Sequence, residues 1–320
     1  MPAIPSSLRD KPMLDRRTLL GSIVATGIGS PAALSAHPQT PSERLVAAQR
    51  QWSEPPLQAP VEAGLRASGA VRLFAWDTGG PGPAIIFIHP ATGSHASWPY
   101  QQPVFAGAGY RVIGYSRRNY LQSDASPPAS PVDDADDLAR LLDALAVDRA
   151  HLVASAAGGL IALDFLALHR DRVASLVLAS SMAFARTPQA MALVRGLLPA
   201  GWRDLPSEFQ ELSPSYRAAN PDGVRRWVAI EHQARHGPAA ARGQPRPGAM
   251  LDPASFPPLL AMTGDADLYA PPPLMRMFGD AVPSAELASF AEAGHALFWE
   301  QPLGFNRIAL DFLDRVASPG

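Results

Sequence analysis

A chain of 320 residues with 47% hydrophobic residues is long enough for one large or two modest domains and supplies ample apolar material for a core. A formal net charge of -2 leaves no basic footprint, so no nucleic-acid partner is expected. Zero cysteines exclude disulfides, thiolate catalysis and zinc–cysteine sites, and the 34 prolines are dispersed rather than periodic.

Residues 1–36 have their own composition. Arg16 and Arg17 precede an uncharged, glycine-broken stretch that ends in small residues near Ser35 and Ala36. This resembles a twin-arginine signal peptide, which implies recognition by the export machinery through Arg16 and Arg17 and a periplasmic or secreted location. So glycine-rich a stretch makes a poor spanning helix, and no stable membrane insertion is expected after its removal. Residues 37–67 read as a proline-rich linker with a short helix around Leu45, Val46 and Trp52.

Val71 to Trp76 alternates and predicts a strand, while Ala84 to His89 is apolar throughout, as in a parallel strand buried on both faces. Tyr110 to Tyr115 predicts another strand. Pro131 opens a helix with Asp133, Asp134, Asp136 and Asp137 at its start, and Leu138, Leu141, Leu142 and Leu145 on its buried face. Strands follow at His151 to Val153 and Val173 to Ala179. Residues 182–250 change to proline-punctuated helical fragments, predicting an inserted helical cap in which Trp202 and Trp227 are candidates to line a substrate pocket. Pro257 to Thr263 and Ser284 to Phe290 predict the last strands, and Pro302 to Val316 the closing helix. Strands alternating with helices predict an α/β chain with a doubly wound, mostly parallel sheet, its core formed by residues 68–181 and 251–320.

Between His151 and His169 lies the stretch around which the rest is organised. Ala154 to Gly159 has almost no side-chain bulk, which only a tight strand-to-helix turn needs. Small residues two before and two after the apex fit the register Ala154-Ser155-Ala156-Ala157-Gly158, with Ala156 at the apex. Making Ser155 the apex would place the bulkier Val153 two before it. That register would make Ser155 a substitute nucleophile.

The stretch resembles the nucleophile elbow of the α/β-hydrolase superfamily, with a methyl group where the attacking serine usually stands. Two further pieces resemble the same family. Gly264-Asp265-Ala266-Asp267 after a strand implies Asp267 as the acidic member, with Asp265 outside the pair, and Gly294-His295 implies His295 as the base; the order elbow, acid, base agrees with the family. The resemblance also implies an oxyanion hole from the backbone N–H groups of Ala91 and Ala157, with His89 bracing the loop and Pro90 standing where glycine is usual. Arg117 reads as structural and Arg118 as a candidate contact for an anionic substrate. His232 and His236 are four apart on a cap helix without a third ligand, so neither metal nor cofactor is expected.

Acyl-enzyme chemistry needs an oxygen nucleophile, and Ala156 has none. The expectation is therefore an exported enzyme acting on a small, largely apolar ester or carbonyl-type substrate, with His295, oriented by Asp267, as general base on water or on an acidic substrate proton. The alternatives are an ester or lactone hydrolase using Ser155 and a catalytically inactive ligand-binding protein.

Overall fold

The structure, a computed structural model, describes residues 54–126, 133–181, 183, 187–236, 252 and 256–317. The twin-arginine segment with Arg16 and Arg17, and the short helix expected near Trp52, lie outside the described residues. Eight strands form one sheet: β1 (Glu62–Ser68), β2 (Val71–Asp77), β3 (Ala84–Ile88), β4 (Arg111–Tyr115), β5 (Ala150–Ser155), β6 (Val173–Ala179), β7 (Leu259–Gly264) and β8 (Glu286–Phe290). Their order is β1-β2-β4-β3-β5-β6-β7-β8. The first two pairings are antiparallel, and every pairing from β4 to β8 is parallel. This is the α/β architecture that the alternating elements predict.

The unbroken apolar runs have the consequence expected of them. Ile85, Phe87, Val153 and Val177 join one buried cluster, while Ile86, Ile88, Leu152 and Leu176 join the other. Neighbouring residues thus feed opposite faces of the sheet, and both faces are covered.

Two boundaries differ from expectation. Residues 62–67 were expected within a linker and instead, with Ser68, form β1, paired with β2 from Glu62 opposite Asp77 to Ser68 opposite Val71. Only Ser68 of this edge strand is buried, so the sequence carries no apolar alternation to reveal it. The helix expected from Pro131 runs over Asp134–Ala144, with Asp133 as its cap accepting the Asp136 N–H at 3.1 Å; Pro131 itself lies outside the described residues.

Between β6 and β7 come helices Pro188–Leu197, Ser207–Glu211, Pro214–Ala219 and Pro221–Gln233. This inserted region meets loops that follow β4 and β8: Leu121 N–H donates to Ala234 O at 2.9 Å, and His295 N–H donates to Glu211 O at 2.7 Å. It therefore lies at the carboxyl edge of the parallel strands, where open α/β sheets place their ligands. No helix among the described residues is long and apolar enough to cross a membrane.

Candidate active site

β5 ends at Ser155 and the next helix, Ala157–Leu168, begins two residues later, so one residue makes the reversal. Ala156 does so at φ 51° and ψ -114°, a conformation costing a non-glycine residue about 1–3 kcal/mol. Neighbouring β6 and its loop hold it there. The Ala156 N–H donates to Ala179 O at 2.9 Å, and its carbonyl accepts Ser181 Oγ at 2.8 Å. Space is the second constraint: a Cβ at Gly158 would lie 2.3 Å from Ile88 O, and one at Gly159 would lie 2.1 Å from Ser181 Oγ. Ser155 is buried in β5, and its Oγ has no hydrogen-bond partner among the described residues. The structure does not bring it to His295.

The loop after β3 is clamped through Pro90. Its carbonyl accepts His89 Nδ1 at 2.7 Å, Arg117 Nη2 at 3.1 Å and Gly93 N–H at 3.3 Å, while His89 Nε2 accepts the Arg117 N–H at 3.1 Å. Those partners assign the proton of His89 to Nδ1. Burial and the Arg117 charge hold His89 well below the usual histidine range, and so neutral. In a trans peptide the carbonyl and the following N–H point in opposite directions, so the Ala91 N–H is aimed away from this brace. Proline at 90 therefore leaves a fixed loop. Ala157, the other residue expected to donate, is the first residue of its helix.

Across the site, His295 is buried and its Nδ1 lies 2.9 and 3.0 Å from the two oxygens of Asp267. Asp267 Oδ1 also accepts the N–H groups of Tyr269 at 2.8 Å and Ala270 at 3.0 Å, which fix the carboxylate. Asp265 is elsewhere, accepting Glu292 N–H at 2.7 Å. The Nδ1–H tautomer leaves the Nε2 lone pair for chemistry, and among the described residues no side chain hydrogen-bonds Nε2. Burial alone would lower the basicity of His295; the charge and hydrogen bond of Asp267, with smaller contributions from Glu211 and Glu300, outweigh it and raise its pKa above 6.5.

Four neighbours, Tyr269, Thr92, Glu211 and Glu300, had no motif to announce them. The Tyr269 ring packs on His295 with centroids 4.9 Å apart, and Trp202 meets Tyr269 edge-on at 5.8 Å. Thr92, next after Ala91, donates its hydroxyl to Glu211 Oε2 at 2.8 Å. Glu300 is fully buried and accepts Gly294 N–H and Ser213 N–H, each at 3.0 Å, tying the histidine loop to the cap.

Known proteins resemble this chain in sequence and in fold. Residues 83–238 match the model of the alpha/beta hydrolase fold family. The chain is 31% identical over 255 residues to "Putative carbamate hydrolase RutD" of Variovorax paradoxus (strain S110), an alignment covering 75% of this chain and 94% of that protein. It is 28% identical over 269 residues to "2-hydroxy-6-oxononadienedioate/2-hydroxy-6-oxononatrienedioate hydrolase" of Burkholderia vietnamiensis (strain G4 / LMG 22486), covering 77% and 92%. Its backbone matches a thermophilic esterase from Thermogutta terrifontis with a TM-score of 0.66 at 24% identity, covering 80% of this chain and all of that one. The chain belongs to the α/β-hydrolase family. It is a hydrolase-fold enzyme.

Several candidates do not join the α/β-hydrolase site. Arg118 is buried against Asp137 in a two-pronged pair at 2.5 Å, so its charge is already matched and it does not await an anionic substrate. The first-turn carboxylate Asp137, legible only as a helix-dipole feature, is what claims it. Trp227 is buried in the apolar cluster that contains Tyr216, Leu297 and Trp299, where it packs the cap. Of the remaining histidines, His95 in the loop after β3 is held by Ser116 Oγ at 2.8 Å, and burial lowers its pKa to about 4. His236 Nε2 lies 3.2 Å from Ser123 O, and His232 is exposed. No metal-binding cluster occurs among the described residues.

Proposed function

We propose that this enzyme hydrolyses a small, largely apolar ester or lactone by direct attack of water, without an acyl-enzyme. One observation carries the reading: both oxygens of Asp267 anchor His295 Nδ1 at 2.9 and 3.0 Å, while the elbow apex opposite the usual base is the methyl group of Ala156. His295 Nε2 takes a proton from water as the water oxygen bonds to the carbonyl carbon. The N–H groups of Ala91 and Ala157 receive the charge that develops on the carbonyl oxygen, a role in which one donor contributes about 3 kcal/mol. Collapse of the tetrahedral species breaks the bond to the leaving oxygen, which takes up a proton, giving an acid and an alcohol. Names of hydrolases among the relatives support hydrolysis at a carbonyl-type carbon.

The test is p-nitrophenyl acetate and simple lactones with the mature protein and His295→Ala. The expected result is turnover by the parent that His295→Ala loses, with no covalent labelling by an organophosphonate. Labelling of the parent would return a side-chain nucleophile to the mechanism. Ligand binding without turnover would instead favour an inactive pocket. The Arg16-Arg17 segment supports export of the folded chain, and a double lysine substitution there is expected to leave the precursor in the cytoplasm; unchanged export would rule that out.

A further inference from the structure

Glu211 ends the short cap helix Ser207–Glu211 and is attached to both halves of the site. Its backbone carbonyl accepts His295 N–H at 2.7 Å and Ala296 N–H at 3.1 Å, so the glutamate and the base are fixed in relation to one another. Its side chain reaches the oxyanion loop, where Oε2 accepts the Thr92 hydroxyl at 2.8 Å. Among the described residues no arginine or lysine pairs with it, and Oε1 receives no hydrogen bond. Protein surrounds the carboxyl, yet the residue keeps some accessible surface, as a group lining a cleft does. A carboxyl that merely closed the cap would be expected to have a cation or a full set of donors.

Resting on the direct-water reading, we propose that Glu211 is the general acid of this site, protonating the leaving oxygen while His295 deprotonates water. In the forward step, the water oxygen bonds to the carbonyl carbon and its proton passes to His295 Nε2. The carbon–oxygen bond to the leaving group then breaks with its electron pair on oxygen, and that oxygen takes the proton of the Glu211 carboxyl. Return of the His295 proton to Glu211 through solvent restores both groups, so water and ester are consumed and acid and alcohol are formed.

The electrostatics run in the required direction at each stage. Burial raises the Glu211 carboxyl above the ordinary carboxylate range, the direction that favours its acid form, and a positive charge on His295 lowers it again. The proton taken up by the base thereby promotes release of the proton from the acid. A separate acid matters most for alkoxides, which leave poorly unless protonated, and least for nitrophenolate, which leaves unaided. The substrate class so selected is alkyl esters and lactones.

The experiment compares ethyl acetate with p-nitrophenyl acetate in the parent, Glu211→Gln, Glu211→Asp and His295→Ala. Glutamine retains the acceptor for Thr92 and the shape of the side chain but has no acidic proton. Glu211→Gln is expected to lose about 100-fold in kcat/KM with ethyl acetate and only a few-fold with p-nitrophenyl acetate, with partial recovery in Glu211→Asp. The alkaline limb that Glu211 ionisation gives the ethyl acetate profile should also disappear. Equal losses on the two esters, or none, would overturn the acid role while leaving the dyad reading intact, provided that His295→Ala abolishes nitrophenyl ester turnover. A parent inert toward both esters, or a His295→Ala variant as fast as the parent, would overturn the dyad reading and this inference with it.

Discussion

The two sides of the candidate site have kept different things. On the elbow side everything made by backbone is present: positive φ at Ala156, the bond to Ala179 O, the close approach of Gly158 to Ile88 O, and the clamped Pro90 carbonyl. The side chain that would attack is absent. On the other side the side chains themselves are in place, with His295 Nδ1 hydrogen-bonded to Asp267 and the His295 N–H donating to Glu211 O. An elbow is held by the chain around it and survives replacement of its apex, whereas an acid–base arrangement exists only through its side chains. The proposed chemistry therefore rests on the histidine side.

Breaking that side should have the largest effect. His295→Ala is expected to reduce kcat/KM for p-nitrophenyl acetate about 10³-fold, within the usual range for removal of a general base. Initial rates at saturating buffer pH would show it. Asp267→Asn should cost roughly 10²-fold and also move the pH profile. A general base works when neutral, so parental activity rises with pH as His295 loses its proton, with the acid limb above 6.5. Removing the Asp267 charge shifts that limb downward, because the carboxylate is the main influence holding the proton on.

Glu300→Gln sharpens the comparison through stability. Burial raises the Glu300 pKa from 4.5 to about 7 despite the two N–H donors that favour its charged form. The folded state thus binds this proton more tightly than the unfolded chain does. Its contribution is fully present below pH 4.5 and is lost as pH rises through about 7, by on the order of 3 kcal/mol. Denaturant titrations across that window should show parental stability falling with pH, and a flatter dependence in the glutamine variant. Equal slopes would show that Glu300 is not the group responsible.

The smallest structural change is on the elbow side. Ala156→Ser adds one oxygen to an apex whose geometry already exists, so stability should change by no more than about 1 kcal/mol. The variant should become reactive with an organophosphonate, while the parent is expected to remain unlabelled. A folded variant that remains unlabelled would show that the Ala91 and Ala157 donors do not form a working anion site.

How much of this could be read in the sequence depended on whether a residue's role is local. The parallel strands were legible because burial on both faces leaves unbroken apolar runs such as Ala84 to Ile88. β1 was not, since Glu62–Ser68 is an exposed edge strand identified only by its pairing with β2. The apex at Ala156 followed from the small residues that crowding against Ile88 O and Ser181 Oγ demands. Arg118 was misread because its partner Asp137 lies on a helix that the sequence alone does not dock against it. Glu211 had no local signal at all: it reaches Thr92 across 119 positions of sequence, and only tertiary structure reveals the pair.

The central claim is that hydrolysis here proceeds without an acyl-enzyme. Intact-mass measurement of the parent, acid-quenched during steady turnover of p-nitrophenyl acetate, tests it most directly. The account predicts unmodified protein at every time point while nitrophenol accumulates, with Ala156→Ser as the variant that carries an acetyl group under the same quench. An acetylated parent, above all one modified at Ser155, would contradict it.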